Sequence, residues 1–204
     1  MQHLRVMPIV EGYGDVAAVP ILIRRICTEL LVDVVPHVLA PIRQPRNRLL
    51  NDVEGCLGNA ANLAVGKLRQ HYVRDAKDLI LILVDADESC AAQLGPDTLV
   101  KATSHRSDAD IAVVFAVMEY ETWFVAGAAS LAEFLTIDDT ESLPTDPERQ
   151  RCKKKWIEER FRRPKYSESV DQPLMTAAMD LTLCRRQSPS FDRLCRELER
   201  RVAE

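Results

Sequence analysis

Acidic residues placed where apolar runs end are the side chains of this chain best suited to chemistry. The clearest case is Asp78–Ser89, DLILILVDADES, in which Leu79 to Val84 run without a break into Asp85 and Asp87, with Ala86 between them. A short continuous apolar run describes a strand covered on both faces, as in a parallel sheet. Side chains of extended chain alternate, so Asp85 and Asp87 project to one side if that geometry continues to Asp87. In open α/β sheets, sites collect in the crevice beyond the carboxyl ends of the strands. Two carboxylates side by side repel, and a bound cation relieves them; the expected ion is Mg²⁺. The plainer alternative is a strand-ending turn followed by a helix that Ser89 caps.

Three other places repeat the pattern. Glu11 ends the first apolar run, Asp15 lies one helical turn beyond it, and Glu119 and Glu121 follow a later run. If the strands are parallel neighbours, these ends share one rim. Carboxylates gathered there would hold one or two divalent cations, Mg²⁺ or Mn²⁺, through oxygen. Such ions orient a phosphodiester, activate water and stabilise the leaving oxygen. Coincidence is the alternative, because acidic residues also favour helix starts for their own reasons. Which of Glu119 and Glu121 faces the site stays open.

The elements that must position these residues can be read in order. Leu4–Val10 is a strand, with Pro8 awkward for its missing ladder donor. Glu11-Gly12-Tyr13-Gly14-Asp15 forms a strand-to-helix turn, with Asp15 as a helix cap. Val16 to about Val32 is then helical, with apolar residues at Val19, Ile23, Ile26 and Leu30. Val34–Leu39 is a second strand containing Pro36. Pro41–Arg48 is a loop whose Arg43, Arg46 and Arg48 are either solvated or aimed at phosphate. About Val53 to Tyr72 is helical, and Cys90–Thr103 is a helix interrupted at Gly95-Pro96. Asp110–Val117 is another buried strand, and Trp123-Phe124 belongs to the core rather than to a stacking platform. Strands alternating with helices define an α/β fold with a mainly parallel sheet flanked by helices.

Beyond about Ile137 the character changes. Ile137–Pro147 is acidic and turn-rich, with Asp138, Asp139, Glu141 and Asp146. Glu148–Arg163 is a charged helix with eight Lys/Arg and three Glu; with Trp156 it either tracks a nucleic-acid backbone or is an ordinary face laced with ion pairs. Gln172–Arg186 is helical, and Ser188-Pro189 opens a last helix with Phe191, Leu194, Cys195, Leu198 and Val202 in one stripe. The expected organisation is an α/β core over 1–136 and a helical C-terminal extension over 137–204, packed on that core.

Composition narrows the functional classes. A net charge of −4 argues against a generally basic nucleic-acid coat, although a local patch can still grip phosphate. The six cysteines include no Cys-x-x-Cys, and the four histidines have no ligand spacing, which argues against zinc, disulfides and a thiol nucleophile. No apolar run approaches the roughly 20 residues of a membrane span. The first residues, MQHLRVMPIVEG, do not read as a signal peptide, so the expected compartment is the cytoplasm. The phosphate-binding loop of ATPases has no counterpart here, so an ATP-driven step would need another chain.

Glu11-Gly12 after a first strand and Val84-Asp85-Ala86-Asp87 after a later one resemble the Toprim domain of topoisomerases, primases and related nucleases. Glu11-Gly12-Tyr13-Gly14-Asp15 is also similar to the version in Toprim nucleases of the overcoming-lysogenisation-defect class. Over nearly its full length the chain looks like the bacterial family catalogued as domain of unknown function 4276. That match rests on Met118-Glu119-Tyr120-Glu121-Thr122-Trp123, Lys165-Tyr166, Asp171 and Ser188-Pro189-Ser190-Phe191. The resemblance implies a Toprim-like Mg²⁺-dependent nuclease with Asp85 and Asp87 as metal ligands and Glu11 for acid/base work or metal binding. It further implies Asp15 as the second acidic position, a ligand from Glu119 or Glu121, and Lys165 against the phosphate. It points to nucleic acid, DNA ahead of RNA, and to an ATPase partner in a defence or mobile-element setting. The rival expectation is a non-catalytic module of the same architecture that engages such an ATPase.

Overall fold

The computed structural model describes residues 1–139, 143–150 and 153–203; Glu141, Arg151 and Cys152 lie outside the described residues. In chain order the elements are β1 (Gln2–Val10), α1 (Tyr13–Arg25), β2 (Val34–Val38), β3 (Ile42–Arg43), α2 (Arg46–Leu50), α3 (Cys56–Gln70) and β4 (Ala76–Asp85). There follow α4 (Ala91–His105), β5 (Ile111–Ala116), α5 (Glu121–Ala126), α6 (Lys153–Arg160), α7 (Glu168–Ala178), α8 (Leu181–Gln187) and α9 (Pro189–Ala203). The sheet runs β2-β1-β4-β5, with β3 taking over from β2 along β1, and every pairing is parallel.

Period-two alternation sorts the strand residues between two cores. Leu4, Val6, Val10, Leu79, Leu81, Leu83, Ala112 and Val114 face one layer, in which residues of α1, α5, α7, α8 and α9 pack. Met7, Ile9, Ile80, Ile82, Val84, Val113 and Phe115 face the other, built with α3 and α4. Both faces of β4 are therefore covered, as its unbroken apolar run requires. The fold is α/β, a mainly parallel sheet between helices. Phe191, Leu194, Cys195 and Leu198 of α9 are fully buried in the first layer, together with Trp123 and Phe124.

The prolines are explained by the ladder. Val6 and Val10 accept bonds from Leu39 and Gln44, so the even-numbered residues of β1 face β2 and β3. Pro8 meets the gap between Val38 and Ile42, where no ladder acceptor waits for a donor. In β2, Leu39 donates inwards, so Pro36 faces outwards on an edge strand.

Several boundaries differ from the sequence reading. Gly12, not Asp15, is the α1 N-cap; Asp15 sits a turn inside and accepts the Gly12 N–H at 2.8 Å. Helix α4 runs through Gly95-Pro96 without interruption, because the carbonyl deprived of a partner is that of exposed Ala92, which water can serve. Cys90 rather than Ser89 precedes α4 as its N-cap, without a side-chain cap bond. The expected Gln172–Arg186 helix divides at Met179-Asp180, where Asp180 caps α8 by accepting the Leu183 N–H at 2.9 Å. The charged segment is no solvated helix throughout, since Lys153, Trp156 and Ile157 of α6 are buried. Trp156 lies under Arg160, 4.3 Å from guanidinium carbon to ring centre, and offers no open face to a nucleic acid.

Candidate functional site

The carboxyl ends of β1, β4 and β5 lie side by side because the three strands are adjacent and parallel. Glu11 follows β1, Asp85 ends β4, and Glu119 and Glu121 follow β5. These four, with Asp15 from α1 and Glu168 from α7, line one cavity of about 130 Å³. Residues far apart in sequence thus meet on one rim, and both Glu119 and Glu121 face it.

Each acid is held differently. Asp15 accepts from the Gly12 N–H at 2.8 Å and from Gln172 Nε2 at 2.9 Å. Glu119 Oε1 accepts the Lys154 backbone N–H at 2.8 Å. Glu121 is only 5% exposed and accepts the Tyr166 hydroxyl at 3.0 Å. Glu11 Oε2 is buried and has no hydrogen-bond partner. Asp85 keeps a little surface through the cavity, although protein crowds it on almost every side.

The electrostatics follow from that crowding. Burial first, then the charges of Asp15 and Asp87, pushes Glu11 up to about 7. Burial and Glu119 push Glu121 up to about 7. Asp15 is raised mainly by burial, and Asp85 is raised well above the ordinary carboxylate range by burial and then by Asp15, Glu11, Glu121 and Glu119. Part of the repulsion is offset because α1, α5 and α7 all begin here, with Asp15, Glu121 and Glu168 in their first turns.

An all-oxygen donor set with an orphaned buried oxygen suits a hard divalent cation. As the side chains stand, however, no three His, Cys, Asp or Glu among the described residues converge on a common point.

Asp87 departs from the expected alternation. The strand stops at Asp85, Asp87 bridges to Met118 in antiparallel fashion, and its φ of 49° lies in the left-handed region. Its side chain is 62% exposed and ion-pairs with Arg46 Nη1 at 3.3 Å. Arg46 also donates to the carbonyls of Asp85 at 2.7 Å and Ala86 at 2.8 Å, clamping the turn. Thus the Pro41–Arg48 arginines divide: Arg46 braces the turn, Arg48 pairs with Glu54, and Arg43 lies by Tyr13.

Lys165 is outside the acidic cavity. It is exposed, forms no ion pair among the described residues, and lines an adjoining groove of about 480 Å³ with Tyr13, Lys154, Ser167 and Ser169. Gly14 and Glu168 belong to both spaces. Asp171, part of the family pattern, is 2% exposed and accepts the Ser167 N–H at 2.7 Å, which makes it a brace for the start of α7. Tyr120 is buried against Thr176 at 3.0 Å and unavailable to substrate. Glu168, Gln172 and Lys154 escaped the sequence reading; none follows an apolar run, and only the packing of α7 on α1 brings the first two to the rim.

A parallel α/β sheet with a carboxylate-lined crevice at its carboxyl rim defines the class of protein. The chain belongs to the family described as Domain of unknown function (DUF4276), whose model matches residues 10–199. No curated protein and no solved structure matches it. Among the described residues no helix is long and apolar enough to cross a membrane.

Proposed function

We propose that this chain is a Toprim-like nuclease that uses Mg²⁺ or Mn²⁺ to hydrolyse phosphodiester bonds in nucleic acid, DNA ahead of RNA. The observation that carries the proposal is the single cavity shared by Glu11, Asp15, Asp85, Glu119 and Glu121, with Glu11 Oε2 buried and unpaired. Asp85 would hold the ion with help from Asp15 and from Glu119 or Glu121. When bound, the cation would supply Lewis-acid stabilisation of the phosphate and make a bound water more acidic. Glu11, raised to about 7 in the ion-free site, would be lowered by the cation's charge, and its carboxylate would either take a proton from water or join the ligands. Lys165 meets substrate phosphate from the adjoining groove, and the Tyr120 and Tyr166 side chains keep their side of the cavity dry. The cytoplasm is the proposed compartment, and an ATPase encoded elsewhere is the proposed partner in a defence or mobile-element setting.

The test is a cleavage panel with Mg²⁺ or Mn²⁺ on circular DNA, linear DNA and RNA, with and without a neighbouring ATPase. Wild-type protein should cut at least one substrate, and Asp85→Asn or Glu11→Gln should lower the rate by about 100-fold or more. Asp87→Asn should cost less, because Asp87 must leave Arg46 before it can join the site. A cut that survives Asp85→Asn at full rate would reject the nuclease reading.

A second reading has its own support. The clamp on Asp87 and the unconverged carboxylates suit a Toprim-like module that binds a partner ATPase without turnover. It predicts a stable complex with that ATPase and no cleavage that depends on the acidic rim.

A further inference from the structure

The groove beside the acidic cavity carries a feature that metal chemistry does not use. Tyr13, the first residue of α1, is 73% exposed at the groove's wall. One face of its ring is covered by the Arg43 guanidinium, whose carbon lies 4.1 Å from the ring centre. Arg43 is in turn held by the Glu11 carbonyl, which accepts from its Nη1 at 3.4 Å. With one face backed by a cation and most of the residue in solvent, the opposite face is open. A large exposed aromatic has no packing role there, and a guanidinium behind it fixes the plane of the ring.

Further round the same groove lie the ammonium of Lys165, which has no ion pair among the described residues, and the hydroxyls of Ser167 and Ser169, 3.3 Å apart. Lys154 also lines it, but is paired with Glu168. Glu158 and Glu168 line the groove as well, but a flat π-surface, the Lys165 cation and a pair of hydroxyls bordering about 480 Å³ supply groups for a base and its phosphate. Because Gly14 and Glu168 are common to groove and cavity, the two spaces adjoin.

We infer that the groove binds one unpaired nucleotide of a single-stranded nucleic acid, with its base stacked on Tyr13 and its phosphate on Lys165. The inference rests on the proposed nuclease reading and narrows the substrate from nucleic acid in general to single strands or frayed ends. A base within a duplex is stacked on both faces and cannot offer one to Tyr13. Stacking on a ring face is indifferent to which base is present, so sequence preference is weak.

The experiment measures anisotropy of fluorescent 12-nucleotide oligomers, DNA and RNA, single-stranded and duplex, in Ca²⁺ or EDTA so that no cleavage intervenes. The proteins are the full chain, Tyr13→Ala, Tyr13→Phe and Lys165→Ala, each checked for folding by circular dichroism. Single strands of DNA or RNA should bind tighter than the matching duplex. Tyr13→Ala should weaken single-strand binding about fivefold or more, while Tyr13→Phe stays within about twofold of wild type. Lys165→Ala should weaken binding and flatten its salt dependence by about one phosphate contact. Wild-type-like binding by Tyr13→Ala, a Tyr13→Phe variant as weak as Tyr13→Ala, duplex bound as tightly as single strand, or no binding at all would overturn the inference. Cleavage assays on the same variants separate the two claims. Cleavage that Tyr13→Ala leaves intact, with unchanged binding, removes the groove and leaves the nuclease. Tyrosine-dependent single-strand binding without cleavage of any substrate removes the nuclease and leaves the groove.

Discussion

Asp85 is a carboxylate in the wrong place for stability and, on the proposed reading, the right place for an ion. Burial and four neighbouring acids raise it well above the carboxylate range, so its negative form costs the ion-free fold free energy. Asp85→Asn keeps the shape and removes that charge. The expected result in EDTA is a melting temperature higher by about 2–4 °C, corresponding to about 1 kcal/mol, together with loss of cation binding. A variant that melts lower in EDTA would mean that Asp85 is a structural acid. At this scale the sequence was legible where an acid followed an apolar run, as at Glu11, Asp85, Glu119 and Glu121. It was illegible at Asp87, because the chain leaves extended geometry one residue too soon, and Arg46, distant in sequence, captures the side chain. Nothing in the spacing of Asp-Ala-Asp reveals a left-handed second aspartate.

Helices α1 and α7 are what turn a row of strand ends into a cavity. They pack tightly at Gly14, where a Cβ would stand 1.9 Å from Gln172 Oε1 and 3.0 Å from the Glu168 carbonyl oxygen. Gln172 is 3% exposed and bonded to Asp15, so it has little room to retreat. Gly14→Ala should therefore force the helices apart and destabilise by about 1–3 kcal/mol. Gly66→Ala in α3, where a Cβ meets nothing within 4 Å, should stabilise by about 0.5–1 kcal/mol. Urea unfolding of the two variants reads both signs. Strands, and the stripe of α9, were legible because their periodicities are carried by strongly apolar residues. The role of α7 was not, since its rim residues Glu168 and Gln172 are polar on a helix whose partner cannot be inferred from pattern alone. Pro96 misled because what decides it is where the deprived acceptor lies, whereas Leu4–Val10 reads as a strand in spite of Pro8.

For the molecule as a whole, the acidic cavity links stability to pH and, on the proposed reading, to cation. Glu11 and Glu121, ordinarily near 4.5, hold protons up to about 7 in the fold, so between those values the native state binds more protons than the unfolded chain. Stability without cation therefore falls as pH rises from about 4.5 to about 7 and levels off beyond. Asp52, which desolvation raises but His105 and backbone donors bring below its ordinary value, and Asp108, lowered chiefly by its Arg106 hydrogen bond, act oppositely only in more acidic solution. His37, lowered by burial and then by His3 and Arg5, opposes the two glutamates just below its ordinary value. Melting curves in EDTA should thus peak near pH 4–5 and decline towards pH 7.5, and saturating Mg²⁺ should recover stability at the alkaline end. A melting temperature that climbs steadily from pH 5 to 7.5 in EDTA would contradict the raised carboxyls.

The central claim is that Glu11, Asp85 and their neighbours share a divalent cation. Isothermal titration of Mn²⁺ into wild-type protein at pH 7, beside Asp85→Asn and Glu11→Gln, tests it most directly. The account predicts one or two saturable sites with proton release in the wild type, and binding weakened at least about tenfold in each folded variant. Absence of saturable binding in the wild type, or equal binding in all three, would contradict it.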